Sequence, residues 1–140
     1  MAKNDDLKAL ARKLEELFDA YLTQKSKGEA TKERLAAHEA KKPARPAHFE
    51  SVWDLVSHQE NWRAHQDREV ALRETLDAVS EELAHVSDEI KKRLPTETWV
   101  RYGDVGFGVS VTNWGGYHTS LQVEPWADEM PSLDHRYRGD

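Results

Sequence analysis

Residues Phe49 to Leu94 contain neither Gly nor Pro and lie in the longest stretch of this chain without a helix breaker. Between Leu72 and Ile90, apolar residues recur at alternating steps of four and three, the spacing that places them on one side of a coiled-coil helix. The same spacing extends backwards to Leu55. A continuous helix over 49–94 would reach roughly 70 Å at about 1.5 Å per residue. We call the positions that follow this spacing the seam: Leu55, His58, Trp62, His65, Glu69, Leu72, Leu76, Val79, Leu83, Val86 and Ile90.

The first half of the seam is polar, whereas the second half is purely apolar. His58, His65 and Glu69 stand where the later positions carry Leu, Val or Ile. A His and a carboxylate on one side of a helix suit a hydrogen-bonded pair, a pH-sensitive interface or a metal site. Partial exposure, or polar partners that fix the register of paired helices, would explain the same residues without any ligand. We predict no metal and no other cofactor, and keep the metal site as a third functional hypothesis.

Residues 1–42 predict an N-terminal helical segment. Gly28 indicates a helix end or break, followed by a weaker helical piece from Thr31 to Lys42. Residues 43–48 contain two prolines and predict a linker. The apolar side of the first helix is formed by Leu7, Leu10, Leu14, Leu17 and Tyr21.

After Pro95 the apolar period changes from that of a helix to strict alternation, so residues 95–126 predict a β-hairpin. The glycines of the segment GDVGFG do not predict a phosphate loop, because a strand rather than a helix follows them. They indicate a bulge, or positions where another backbone or an aromatic ring lies close. Residues 127–140 are polar and acidic and predict an arm or a partly ordered tail.

These elements predict a single α+β domain over residues 1–140. An N-terminal helix and the long coiled-coil-like helix over 49–94 form a helical hairpin or bundle, and a C-terminal antiparallel β-hairpin follows. The positions that flank the seam lack complementary charges, which favours a bundle over a two-stranded parallel coiled coil.

Five tryptophans are many for a chain of 140 residues. Trp53 has apolar neighbours and is expected in the core. Trp99 and Trp126 are expected to stack where the hairpin meets the helices. Trp114 lies at the predicted hairpin tip, where an aromatic side chain suits partner binding. Tyr117 and His118 would extend that surface.

Composition narrows the functional classes. The chain has no cysteine, which excludes disulfides and Cys-based zinc sites and favours the cytoplasm. The sequence contains no apolar run long enough to predict a membrane span. Its N-terminus also lacks the apolar core of a signal peptide. The net charge is -6, with the acidic excess after residue 48, and this argues against direct nucleic-acid binding. No triad or nucleophile elbow indicates an enzyme.

The leading functional hypothesis is a non-enzymatic protein–protein interaction or assembly module. It would self-associate, most simply as a dimer, through the seam and the C-terminal hairpin, and would bind another protein. The alternative is a small acidic inhibitor that blocks a basic, nucleic-acid-binding surface of a partner protein. Its contacts would come from Glu124, Asp128, Glu129 and Asp134.

Overall fold

The computed structural model describes residues 2–112 and 118–133, with side chains from residue 5 onward. Two helices come first, α1 over Ala2–Ala40 and α2 over Val52–Lys91. Three strands follow, β1 over Trp99–Tyr102, β2 over Val105–Thr112 and β3 over His118–Pro125. The predicted α+β fold, with two long helices before an antiparallel sheet, is confirmed. The long second helix is continuous through its polar half.

The predicted break at Gly28 is wrong, because α1 continues through this residue to Ala40. A glycine in a helix interior costs roughly 0.5–1 kcal/mol relative to Ala. Here the glycine is buried, and a Cβ atom at this position would lie 3.3 Å from Cγ1 of Val79. The absence of a side chain therefore allows the two helices to approach closely.

The chain falls into two compact units, which we describe separately. Unit 1 consists of Met1–Leu22 and Ala84–Asp140, and unit 2 consists of Thr23–Leu83. In each unit a part of α1 packs against a part of α2. The side of α2 that faces α1 is the seam in both units. Every seam residue is buried or half-buried.

The core of unit 1 lies between the helices and one face of the sheet. Phe18 of α1 stacks on Phe107 of β2, with ring centroids 4.1 Å apart, and Tyr21 meets the same ring edge-on at 5.7 Å. Ile90 and Phe107 are both completely buried. The remaining buried members of this core are Leu17, Val86, Leu94 and Val109.

The sheet has the order β1-β2-β3, and both pairs are antiparallel. The predicted hairpin is the β2–β3 pair, and β1 adds a third strand that pairs residues 99–102 with 105–108. Gly103, in the two-residue connection from β1 to β2, has a φ of 62°, a conformation that glycine adopts without steric cost. As expected, the glycines lead into a strand and not into a helix.

The other face of the sheet is covered by the segment 127–133. A Cβ atom on Gly106 would lie 3.1–3.2 Å from the rings of Trp126 and Trp99, and 2.8 Å from Met130 Cε. Leu133 is buried and lies over Gly108 in the same way. The expectation that an aromatic ring lies close to these glycines is confirmed. The predicted arm or partly ordered tail over 127–140 stays a prediction: Met130 and Leu133 fill the space above the glycines, whereas Asp128 and Glu129 are exposed. Residues 134–140 lie outside the described part.

Trp99 and Trp126 were expected where the hairpin meets the helices, and this is wrong. Residues that alternate along a strand point to opposite faces. Phe107 and Val109 face the helices, so Gly106 and Gly108, with the two tryptophans above them, lie on the far face. Trp99 donates a hydrogen bond from Nε1 to the Pro131 carbonyl oxygen at 2.8 Å. This hydrogen bond therefore ties residues 127–133 to the sheet.

Unit 2 is a helical hairpin. The α1 side of its contact uses small and polar residues: Gly28 and Thr31 are buried, and His38 is half-buried. The Thr31 hydroxyl donates a hydrogen bond to the Lys27 carbonyl oxygen at 2.8 Å, which satisfies it inside the contact. Leu35 of α1 and Leu72 and Val79 of α2 supply the buried apolar side chains.

Candidate interaction surfaces

The polar half of the seam meets a histidine of α1. The rings of His38 and His65 stack with centroids 3.8 Å apart and an interplanar angle of 12°. Nε2 of His38 lies 2.7 Å from the His65 carbonyl oxygen, so this nitrogen carries the proton and donates the hydrogen bond. His65 is 9% exposed. The stacked pair thus takes the place of an apolar contact between the helices.

Charged side chains flank this pair. Arg73 donates hydrogen bonds to the carboxylates of Glu69 on its own helix and Glu39 on α1, both at 2.9 Å. The hydrogen bond and the charge of Glu69 raise the pKa of Arg73. Glu69 therefore belongs to an ion-pair network across the helical hairpin and is not the carboxylate partner of His65. Surface ion pairs of this kind contribute little to stability individually.

No group of three or more His, Cys, Asp or Glu side chains in the described part of the chain is arranged to hold a metal ion. His58 is directed toward Phe49, with ring centroids 5.5 Å apart, while His65 stacks on His38. The two histidines that the sequence placed on one side of α2 therefore have different neighbours.

A groove of about 470 Å³ lies where the linker meets the start of α2. Next to it, Lys42 places Nζ 5.0 Å from the centroid of the Trp62 ring, a cation–π contact. The groove mixes apolar and polar side chains, and its lining is Arg45, Phe49, Leu55, His58, Gln59 and Trp62.

The expectation that Trp53 lies in the core is wrong. Its side chain is 77% exposed, Val52 is 71% exposed, and Val56 is 37% exposed. Position 53 falls on the side of α2 away from the seam, because each residue turns a helix by about 100°. The result is a contiguous exposed apolar surface at the start of α2, formed by Val52, Trp53 and Val56, which we call the apolar patch. Sequence reasoning missed it because the apolar neighbours of Trp53 indicated burial.

The residues predicted to bind a partner through the hairpin are only partly described. Trp114 and Tyr117 lie outside the described residues, as does Asp134. His118, Glu124, Asp128 and Glu129 are exposed. Arg101 lies over the ring of Trp126, with Cζ 5.5 Å from the centroid, so a cation also lies near this acidic segment. The acidic-inhibitor hypothesis stays a prediction.

Comparison with family models, with curated proteins and with solved structures gives no match for this chain. Among the described residues, no helix is both long enough and apolar enough to cross a membrane.

Proposed function

We propose that this protein is a non-enzymatic assembly module whose copies associate through the apolar patch. The observation that carries the proposal is the 77% exposure of Trp53 beside Val52, which is 71% exposed. An exposed apolar patch is typical of a protein–protein contact, and Trp is the residue type most enriched at the centre of such contacts.

The proposal differs from the sequence hypothesis in the surface that it uses. In unit 2, Leu72 and Val79 of the seam are buried, and α1 of the same chain packs beside them. A second copy could contact these residues only after displacing α1, whereas the apolar patch is accessible without any rearrangement. A contact through the hairpin stays a prediction, since its tip lies outside the described residues.

Light scattering coupled to size-exclusion chromatography tests the proposal. We expect the wild-type protein to change from monomer to dimer across the micromolar range. Trp53→Ser should shift this change to higher concentration by about tenfold or more, as expected for loss of a central aromatic contact.

The matched control is Leu7→Ser, because Leu7 is also exposed, at 62%, but lies on α1 in unit 1. This variant should associate like the wild type, and circular dichroism should show equal helix content in all three proteins. A wild-type protein that stays monomeric at every concentration would contradict the proposal. Equal loss of association in Leu7→Ser would contradict it as well.

A further inference from the structure

A second line of residues runs along α2 on the side opposite the seam. Its members recur at steps of three and four, the spacing that keeps residues on one side of a helix. All six are exposed, with Val70 at 54% at the far end from Trp53. We call this line the outer stripe, and it consists of Trp53, Val56, Glu60, Arg63, Asp67 and Val70.

The outer stripe has apolar ends and a charged centre. In the described part of the chain, none of the ion pairs involves Glu60, Arg63 or Asp67. Within the described residues these three side chains therefore form no ion pair, in contrast to Glu69 and Arg73 on the flank of the seam.

We propose that the outer stripe binds the outer stripe of a second copy in antiparallel orientation. This inference rests on the proposed self-assembly and names its geometry. A two-fold axis midway between Glu60 and Arg63 places Glu60 of each copy opposite Arg63 of the other. The same axis places Trp53 of each copy opposite Val70 of the other. One register therefore pairs Glu60 with Arg63 and Trp53 with Val70.

The charges decide the orientation. In a parallel, in-register pair, Glu60 would face Glu60, Arg63 would face Arg63 and Asp67 would face Asp67. Like charges placed directly opposite each other oppose association. The antiparallel pair replaces the first two of these repulsions with two Glu60–Arg63 attractions. Asp67 then lies opposite Val56 and four residues from Arg63 on its own helix, a spacing that favours opposite charges.

The pattern also identifies the occupant as a second copy. In a two-fold interface the same surface serves both partners, so its sequence must complement itself when reversed. Trp53, Glu60, Arg63 and Val70 read as apolar, acidic, basic and apolar in one direction. The reversed partner presents apolar, basic, acidic and apolar side chains opposite them, which meets this requirement at four of the six positions; the other two, Val56 and Asp67, face each other.

Charge reversal tests the geometry by light scattering. Glu60→Arg places an arginine opposite Arg63 of the second copy at two symmetric contacts, and Arg63→Glu places a glutamate opposite Glu60. We expect each variant to weaken self-association by about tenfold or more, because like-charge contacts oppose association. The double variant, Glu60→Arg with Arg63→Glu, restores both attractions and should associate like the wild type.

Mixing the two single variants provides a second readout. The Glu60→Arg protein and the Arg63→Glu protein complement each other at both contacts, so the heterodimer should form at concentrations where each variant alone is monomeric. Native mass spectrometry separates the species by mass. Glu33→Arg is the matched control for Glu60→Arg, because Glu33 is exposed on α1 and its replacement changes the net charge by the same amount. This control should associate like the wild type.

The outcomes separate this inference from the proposed function. If Trp53→Ser abolishes dimers while both charge reversals leave the dissociation constant unchanged, copies associate in another register and the inference fails alone. If the single variants weaken association but neither the double variant nor the mixture restores it, the inference also fails. A wild-type protein that does not self-associate, or binds only a different protein through Trp53, overturns both.

Discussion

Gly28 is a residue that ordinarily ends a helix but here sets the distance between two helices. Its position is buried, and a methyl group added there would lie 3.3 Å from its nearest neighbour, Val79 Cγ1. Two effects therefore oppose each other when Gly28 is replaced by alanine. Helix propensity favours alanine by about 1 kcal/mol, whereas crowding against Val79 disfavours it.

A double-mutant cycle separates these effects. In a Val79→Ala background the crowding is absent, so Gly28→Ala should stabilise unit 2 by about 1 kcal/mol. In the wild-type background the gain should be clearly smaller. The free energies of unfolding come from urea titrations followed by circular dichroism. An equal gain in both backgrounds would show that the two positions do not interact.

At the scale of elements, the segment 127–133 is held by the two glycines of β2. Replacing Gly108 with alanine would place a Cβ atom 2.7 Å from Leu133 Cδ1 and 3.1 Å from Trp99 Cε3. Either the leucine or the ring must move. The hydrogen bond from Trp99 to Pro131 then weakens, because both of its ends belong to the displaced contact.

We expect Gly108→Ala to destabilise the protein by about 1–3 kcal/mol, the usual effect of overpacking. Hydrogen exchange in residues 127–133 should accelerate more than in α2. In the double variant Gly108→Ala with Leu133→Ala, the clash is absent, so residues 127–133 should exchange more slowly than in Gly108→Ala. The Leu133→Ala single variant measures the effect of losing the leucine alone. Unchanged exchange in Gly108→Ala would mean that the segment does not depend on the glycine.

Elements differ in how far their sequence reveals them. The contact side of α2 was predictable because Leu72, Val79 and Ile90 carry the heptad spacing themselves. The second half of α1 was not, because its contact residues Gly28 and Thr31 are small or polar and acquire meaning only beside α2. Gly28 and Thr31 have the three-residue spacing of a helix contact, but they lack the apolar side chains by which such a contact is recognised in a sequence.

The candidate surface shows the same division. Trp53 is exposed because α1 packs on the other side of α2. The residues next to Trp53 in the sequence do not indicate which side α1 will contact. Met130 and Leu133 are isolated apolar residues in a polar segment, and the space that they fill belongs to Gly106 and Gly108 on β2. The spacing of the outer stripe can be read from the sequence, but three charged members of six conceal it from a search for apolar periodicity.

At the scale of the whole molecule, two tyrosines make stability depend on alkaline pH. A hydrogen bond to Asp19, followed by burial, raises the pKa of Tyr102 above its ordinary value of 10.0, and burial raises the pKa of Tyr21. The folded state therefore prefers both phenols neutral. Their contribution to stability is complete below the ordinary pKa and is lost as pH rises through the raised values.

We expect the free energy of unfolding to fall as the pH rises above 10.0, the ordinary pKa of tyrosine. Tyr102→Phe should be less stable than the wild type below this pH, because the bond to Asp19 is lost. The difference should shrink or reverse above it, where the wild-type phenolate faces the Asp19 carboxylate. Urea titrations on both sides of this pH measure the effect. A constant difference across the range would contradict it.

The division into units has a consequence for synthesis. Unit 2 is one uninterrupted stretch, Thr23–Leu83, whereas unit 1 joins residues on both sides of it. Chains emerge from the ribosome with the N-terminus first. Leu17 and Phe18 therefore emerge long before Phe107, which belongs to the same core and stacks on Phe18. Until then these two side chains are apolar surface open to a chaperone, whereas the continuous stretch of unit 2 has already emerged in full.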